Sequence, residues 1–495
     1  MSASDPGAGI AYLDGWLLQD IDSMRTEVTN DASRTSASSW SFRLRRTTGT
    51  PADAGVPSDR RLVVLCSESK HPMQRVGQVI LLTLATTLGL TGVTASAAAP
   101  SVPWVDQFGS RASESGTWGL DVFRNEVFTG GRTFGTLPGQ TSAGDADAWI
   151  QITDERGIAV WTVQFGTPKW DNVEDVDAAA SGLYVIGATS GALAGANAGG
   201  TDGYLTKYDR YGHELWATQF GTRKDDWAIS VSADQSGIYV YGQTYGAFPG
   251  CKNRGGADLM VARFQLDGTL QWVKQFGSRG HEEPWALEPA KSGIYIDGYT
   301  DGRLRGATSK GGWDAYVGLV SRAGRLVWVR QFGSRKADFG EGLAVDPRGV
   351  YVSGQTFGNL NASGNRGGSD AFVRKFSPAG SPLWSRQFGT SQNDDAGAVA
   401  LVHHEAVVIG VTAGVFPGQT NLGGADVFVR AFDTSNAQAE WTRQFGTPAR
   451  ETVGWAWGGA DRIFVIGDTT GAFPNQENAG SVDTYLARID LHAGR

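Results

Sequence analysis

Between residues 104 and 491 the chain is built of short apolar runs, each cut off by Gly, Asn, Ser or Pro. One stretch shows the pattern. GEGLAVD at 340–346 and VYVSGQT at 350–356 are apolar and β-branched, and the tripeptide PRG separates them. A Gly- and Asn-rich loop leads to DAFVRKFS at 370–377, and PAGS leads to PLWSRQFG at 382–389. β-Branched and aromatic runs bounded by turn residues predict four antiparallel strands joined by turns. The 3.6-residue spacing of an amphipathic helix is absent.

The fourth run of each unit ends in Gln-Phe-Gly, which begins at Gln107, Gln164, Gln219, Gln275, Gln331, Gln387 and Gln444, at intervals of 55 to 57 residues. A regular period of that length marks stacked copies of one supersecondary unit, and four strands per copy predict the blades of a β-propeller. The ends are offset: the first unit opens with a fourth strand, at 103–109, and the last stops after a third. Pairing these closes a ring of seven blades and hides the sheet edges. The expectation is an all-β, seven-bladed propeller over 101–495, with the N-terminal strand completing the last blade.

A Trp stands three residues before each Gln, at Trp104, Trp161, Trp216, Trp272, Trp328, Trp384 and Trp441. Trp and the following Phe are four apart, so they share one side of the strand and are expected to pack sheet against sheet.

Composition narrows the picture. The 69 glycines suit tight turns and argue against a helical solenoid, where Gly weakens every turn. With 40% hydrophobic residues and 17 Trp, a packed core can form. A net charge of −8 disfavours a nucleic-acid partner, because phosphate contacts need clustered Lys and Arg. Upstream, Met73 and Arg75 precede the apolar segment VILLTLATTLGLTGV at 79–93 and the small residues Ala95-Ser96-Ala97, which reads as a signal peptide at 73–99. That segment falls short of the roughly 20 apolar residues of a stable membrane span. Residues 1–72 are then expected to be a poorly ordered extension, with translation starting at Met73. Cys66 and Cys251 lie on opposite sides of the cleavage point, so no internal disulfide is expected.

The motifs WxxQFG[ST], GxTxG and GGxDaf resemble the bacterial β-propeller repeat (SBBP type), and the resemblance covers about 104–491. It implies an exported or surface-exposed protein. It carries over no catalytic residue.

Two sets of carboxylates recur. One stands five residues after each Gln-Phe-Gly glycine: Glu114, Asp171, Asp226, Glu282, Asp338, Asp394 and Glu451. The other precedes each third strand: Asp147, Asp202, Asp258, Asp314, Asp370, Asp426 and Asp483. Both are expected to border one face of the disc. They suit turn capping, with the Thr of GxTxG joining in. The first set is also a candidate cation ring, since Ca²⁺ takes six to eight oxygens. Departures from the repeat single out His281, Glu282 and Glu283 in one loop, and Asp297 where other units carry Ile or Tyr. His281, Glu282 and Asp297 are the candidate acid–base or metal-ligating cluster.

The leading functional expectation is an exported, non-enzymatic binding scaffold that contacts an extracellular glycan or protein with its loops. Tyr245, Phe248, Phe357 and Phe416 are candidate aromatic contacts. The alternative is a metal-assisted lyase or hydrolase with its site in the central funnel.

Overall fold

Each repeat folds into four antiparallel strands that pair in sequence order. In the fifth these are Asp338–Asp346, Gly349–Thr356, Asp370–Phe376 and Pro382–Phe388. The first strand begins ahead of its apolar run because Asp338 pairs with Thr356. The computed structural model describes residues 24–30, 39–46, 62–65, 100–360 and 364–491. The segment 73–99 and most of 1–72 lie outside these residues. Within the unit Met1–Ser96, the described residues form a three-stranded antiparallel sheet of Met24–Asn30, Ser39–Arg46 and Leu62–Leu65.

The unit from Ala97 onward holds seven four-stranded sheets. Blades 1 to 6 start at Glu114, Asp171, Asp226, Glu282, Asp338 and Asp394, and each is contiguous in sequence. Blade 7 joins Trp455–Gly458, Arg462–Thr469 and Asp483–Asp490 to the leading strand Ser101–Phe108. In that seam Tyr485 stands opposite Gln107, and Asp490 opposite Ser101. The architecture is a seven-bladed β-propeller without helices among the described residues.

The core lies between blades. At one junction, Phe464, Ile466 and Leu486 of blade 7 meet Leu120, Val127 and Trp149 of blade 1, with Trp104 and Phe108 packed against them. The rings of Phe108 and Trp149 meet edge to face at 5.1 Å. The repeated Trp caps this packing. Trp161 donates its indole N–H to the Arg210 carbonyl, in the hairpin turn of the next blade. Gly212 there has φ +84°, and a Cβ on it would press against the Trp161 ring. These tryptophans are therefore packing residues.

One face of the disc carries the starts of the first and third strands and the ends of the second and fourth. In blades 1 to 6 the register of the innermost strand shifts close to that face. Skipped in the pairing are Trp118, Glu174, Ile229, Trp285, Glu341 and Gly397, one or more residues per blade. A bulge re-aims the side chain it carries. Here it supplies the wall of a funnel on the axis.

Candidate funnel on the propeller axis

The recurring carboxylates form a clamp beneath that face. Both sets are buried throughout. In blade 5, Gln387 Nε2 donates to Asp370 Oδ2 at 3.0 Å and to the Gly358 carbonyl at 2.9 Å, while its Oε1 accepts the Leu360 N–H. Across the Gln-Phe-Gly turn, Asp394 Oδ2 accepts the backbone N–H and the hydroxyl of Thr390. The GxTxG threonine donates to the first-set carboxylate, as Thr133 does to Glu114, Thr300 to Glu282 and Thr469 to Glu451. All seven glutamines make the same bond to the second-set Asp. Burial raises the carboxyls of Glu114, Asp171, Asp226, Asp338, Asp394 and Glu451. The second-set Asp across the glycine raises them further, and the hydroxyl bonds oppose both. The seven first-set carboxylates thus stand one per blade, each bonded within its own turn. Among the described residues, no three His, Cys, Asp or Glu side chains converge as a metal requires.

The candidate cluster separates. His281 Nε2 lies 2.6 Å from Glu283 Oε1 and 3.3 Å from the Tyr245 hydroxyl. Its neighbour Glu282 points the other way, into the clamp, where Ser278 and Thr300 donate to it. Alternate residues of a strand face opposite sides, so adjacent Glu282 and Glu283 cannot both face His281. Asp297 is fully buried and accepts the Ala286 N–H at 2.8 Å. It lies between the sheets of blades 4 and 5, and it lines neither cavity of the funnel. Of the four candidate aromatics, Phe248 and Phe416 are core residues, whereas Tyr245 and Phe357 reach the surface.

Sequence reasoning expected a central funnel but missed the residues that line it. Its mouth is a cavity of about 200 Å³ lined by Trp118, Trp227, Trp285, Trp455 and Tyr299, with Glu174, Asp175 and Glu283. Below it runs a channel of about 330 Å³ walled by all seven innermost strands. Asp121, Asp177 and Glu288 line one side of the channel; Ala344, Ala400 and Trp457 line the other. Among the described residues, neither cavity has a Lys, Arg or His in its wall. Counting from each first-set carboxylate, these positions differ from blade to blade, and that variation was the available signal.

From the mouth, a row of partly exposed rings crosses blades 5, 4 and 3. Phe357 meets Phe339 at 6.1 Å, Phe339 meets Tyr299 at 4.8 Å, and Tyr299 meets Trp313 at 5.4 Å. His281 and Tyr245 continue it, at 5.9 and 5.5 Å.

Burial pushes Glu174 and Asp297 up to about 8. Around Asp297, the backbone N–H groups of Ala286 and Gly342 oppose that rise, and Glu288 and Glu341 lie near enough to be raised by its charge. Arg132 partly offsets the burial of Glu174. Glu341 is also raised, by burial and by Asp395 of blade 6. Raised carboxyls hold protons in the fold that the unfolded chain has released, so their contribution to stability falls as pH climbs from the ordinary carboxylate range to about 8. The melting temperature is expected to be higher at pH 5.5 than at pH 8.5, and Asp297→Asn should flatten the difference. Thermal melts across that range check this; a higher melting temperature at pH 8.5 would refute it.

No protein-family profile matches the chain. It is 22% identical over 413 residues to the regulatory protein FlaEY of Caulobacter vibrioides, covering 71% of this chain and 42% of that one. The chain therefore spans less than half the length of that curated relative. Similar solved structures include the subtype N11 neuraminidase-like protein of A/flat-faced bat/Peru (H18N11), at TM-score 0.39 and 9% identity over 80% of this chain and 98% of that one. A subtype N10 neuraminidase-like protein of A/little yellow-shouldered bat/Guatemala is similar at TM-score 0.33 and 9% identity, over 79% and 99%.

Proposed function

We propose that the propeller is a non-enzymatic binding module, exported behind the segment 73–99, that holds an extracellular partner on its funnel face. One observation carries this reading: the row of partly exposed rings from Tyr245 to Phe357 that leads into the mouth. Flat apolar rings on rigid strands suit the faces of sugar rings, and loops on a fixed scaffold suit recognition. A surface glycan is the favoured partner. Seven copies of one clamp hold the loops that flank this row in a common frame.

Retention of the purified propeller on immobilised cell-surface polysaccharides tests the proposal. Trp313→Ala and Phe357→Ala together are expected to weaken retention at least tenfold while the melting temperature changes little. Retention on surface protein alone would move the partner class to protein. No retention on either would remove the binding reading.

A further inference from the structure

The mouth of the funnel brings aromatic rings and carboxylates together. Four tryptophans and Tyr299 line it, and among the described residues its charged groups are Glu174, Asp175 and Glu283. Ser230 adds a hydroxyl, which Asp175 already engages at 3.0 Å. Burial favours the protonated form of Glu174, Asp175 and Glu283, and a cation entering the mouth would favour the ionised form instead. An organic cation matches both features: aromatic faces attract it through their quadrupoles, and carboxylates attract its charge.

The bulge makes this a built site. Glu174 is skipped in the ladder, where Gly187 pairs with Val173 and Ile186 with Asp175. Its residue is only 4% exposed, yet it lines the cavity. One oxygen accepts the Asn172 side-chain amide, and Arg132 lies close enough to act on its charge without lining the mouth. Trp118 and Trp285 are skipped in blades 1 and 4 in the same way. Trp227 is held from behind by Trp170, its ring 5.1 Å away. The carboxylate bias continues inward, since Asp175 and Ser230 also line the channel where Asp121, Asp177 and Glu288 follow. The volume, about 200 Å³, is below the roughly 300–1,000 Å³ of sites for drug-sized ligands. It suits a single head group.

We infer that the mouth of the funnel binds an organic ammonium group, quaternary or protonated, between Trp118, Trp227 and Trp285 and against Glu174. This rests on the binding-module reading above and names the group that the partner, or a free small amine, inserts on the axis. No bond is made or broken. The carboxylates balance the charge and the indoles replace the water around the alkyl groups.

The test uses the intact chain and needs no variant to begin. Choline and its uncharged isostere 3,3-dimethylbutan-1-ol are titrated while tryptophan fluorescence is followed, with calorimetry in parallel. Choline is expected to bind saturably, and the alcohol at least tenfold more weakly. Nα-acetyl-lysine amide, run alongside, separates a side chain of a protein partner from a free quaternary amine. Trp285→Ala and the shape-conserving Glu174→Gln should each weaken choline binding at least fivefold. Tyr211→Ala, an exposed ring in the hairpin turn between Tyr208 and Glu214 on the opposite face, should leave it unchanged. Equal binding of choline and the alcohol, or no saturable binding of either ammonium probe, would overturn the inference. If ammonium probes fail while Trp313→Ala with Phe357→Ala still abolishes retention on polysaccharide, only the cation assignment falls. If choline binds but no surface partner does, the cage stands and the scaffold reading falls.

Discussion

Deleting residues 101–109 is expected to abolish the cooperative melt of the propeller and drive the protein into aggregates. The leading strand is the fourth strand of blade 7, and it packs at the junction of that blade with blade 1. Its removal takes Trp104 and Phe108 out of the junction with Leu120, Val127 and Trp149. Both rings are partly buried, so each loss costs less than the roughly 3–5 kcal/mol of a fully buried Trp or Phe. It also removes Gln107, whose amide donates to Asp483 and the Gly471 carbonyl and accepts the Phe473 N–H. Each buried partner left unpaired costs about 1–3 kcal/mol. Together these losses rival the ~5–15 kcal/mol stability of a typical domain. The deletion also bares the ladder edge of Asp483–Asp490, a template for pairing with other chains. Circular dichroism melts and gel filtration read the result. A monomer that melts cooperatively within a few degrees of the intact chain would show that the seam contributes little.

Gly389→Ala is expected to destabilise the propeller by about 3–5 kcal/mol, the sum of overpacking and of displacing buried hydrogen bonds. A Cβ there would lie 2.6 Å from Asp394 Oδ2 and 2.9 Å from Asp370 Oδ1. Neither oxygen can retreat freely: Thr390 donates twice to Asp394, and Asp370 is held by Gln387 and the Arg366 N–H. Gly418 is the comparison. Its φ is +75°, but no atom lies within 4 Å of the added Cβ. Gly418→Ala pays only the left-handed backbone strain, about 1–2 kcal/mol. Chemical denaturation of both variants decides. If Gly389→Ala is no worse than Gly418→Ala, the glycine is not kept by the carboxylate pair.

The period of Gln-Phe-Gly made the blades, their strand order and the closing seam legible, because every copy repeats the same hydrogen-bond requirements. The clamp was legible in part: carboxylate and Thr recur at fixed offsets and meet in each turn, whereas the role of the Gln came only with the structure. The lining of the funnel was not. It is made of residues that do not recur, and they reach the axis only because the innermost strand skips them in its pairing. Composition cannot show such a skip. The same limit explains His281, whose partner is Glu283 because strand alternation turns Glu282 into the clamp. It also explains Phe248 and Phe416, which loop position assigned to the surface but which pack into the junctions between blades.

The seam has one more consequence. Asp490 stands directly opposite Ser101, so the two strands of the closing pair end side by side. A short turn linking residue 491 to residue 100 would make blade 7 the equal of the other six, and the backbone could then be opened in any other inter-blade loop. The ring would be the same object under a permuted order of its letters: residues 100–491 encode a cycle, and the seam is one of several possible cuts.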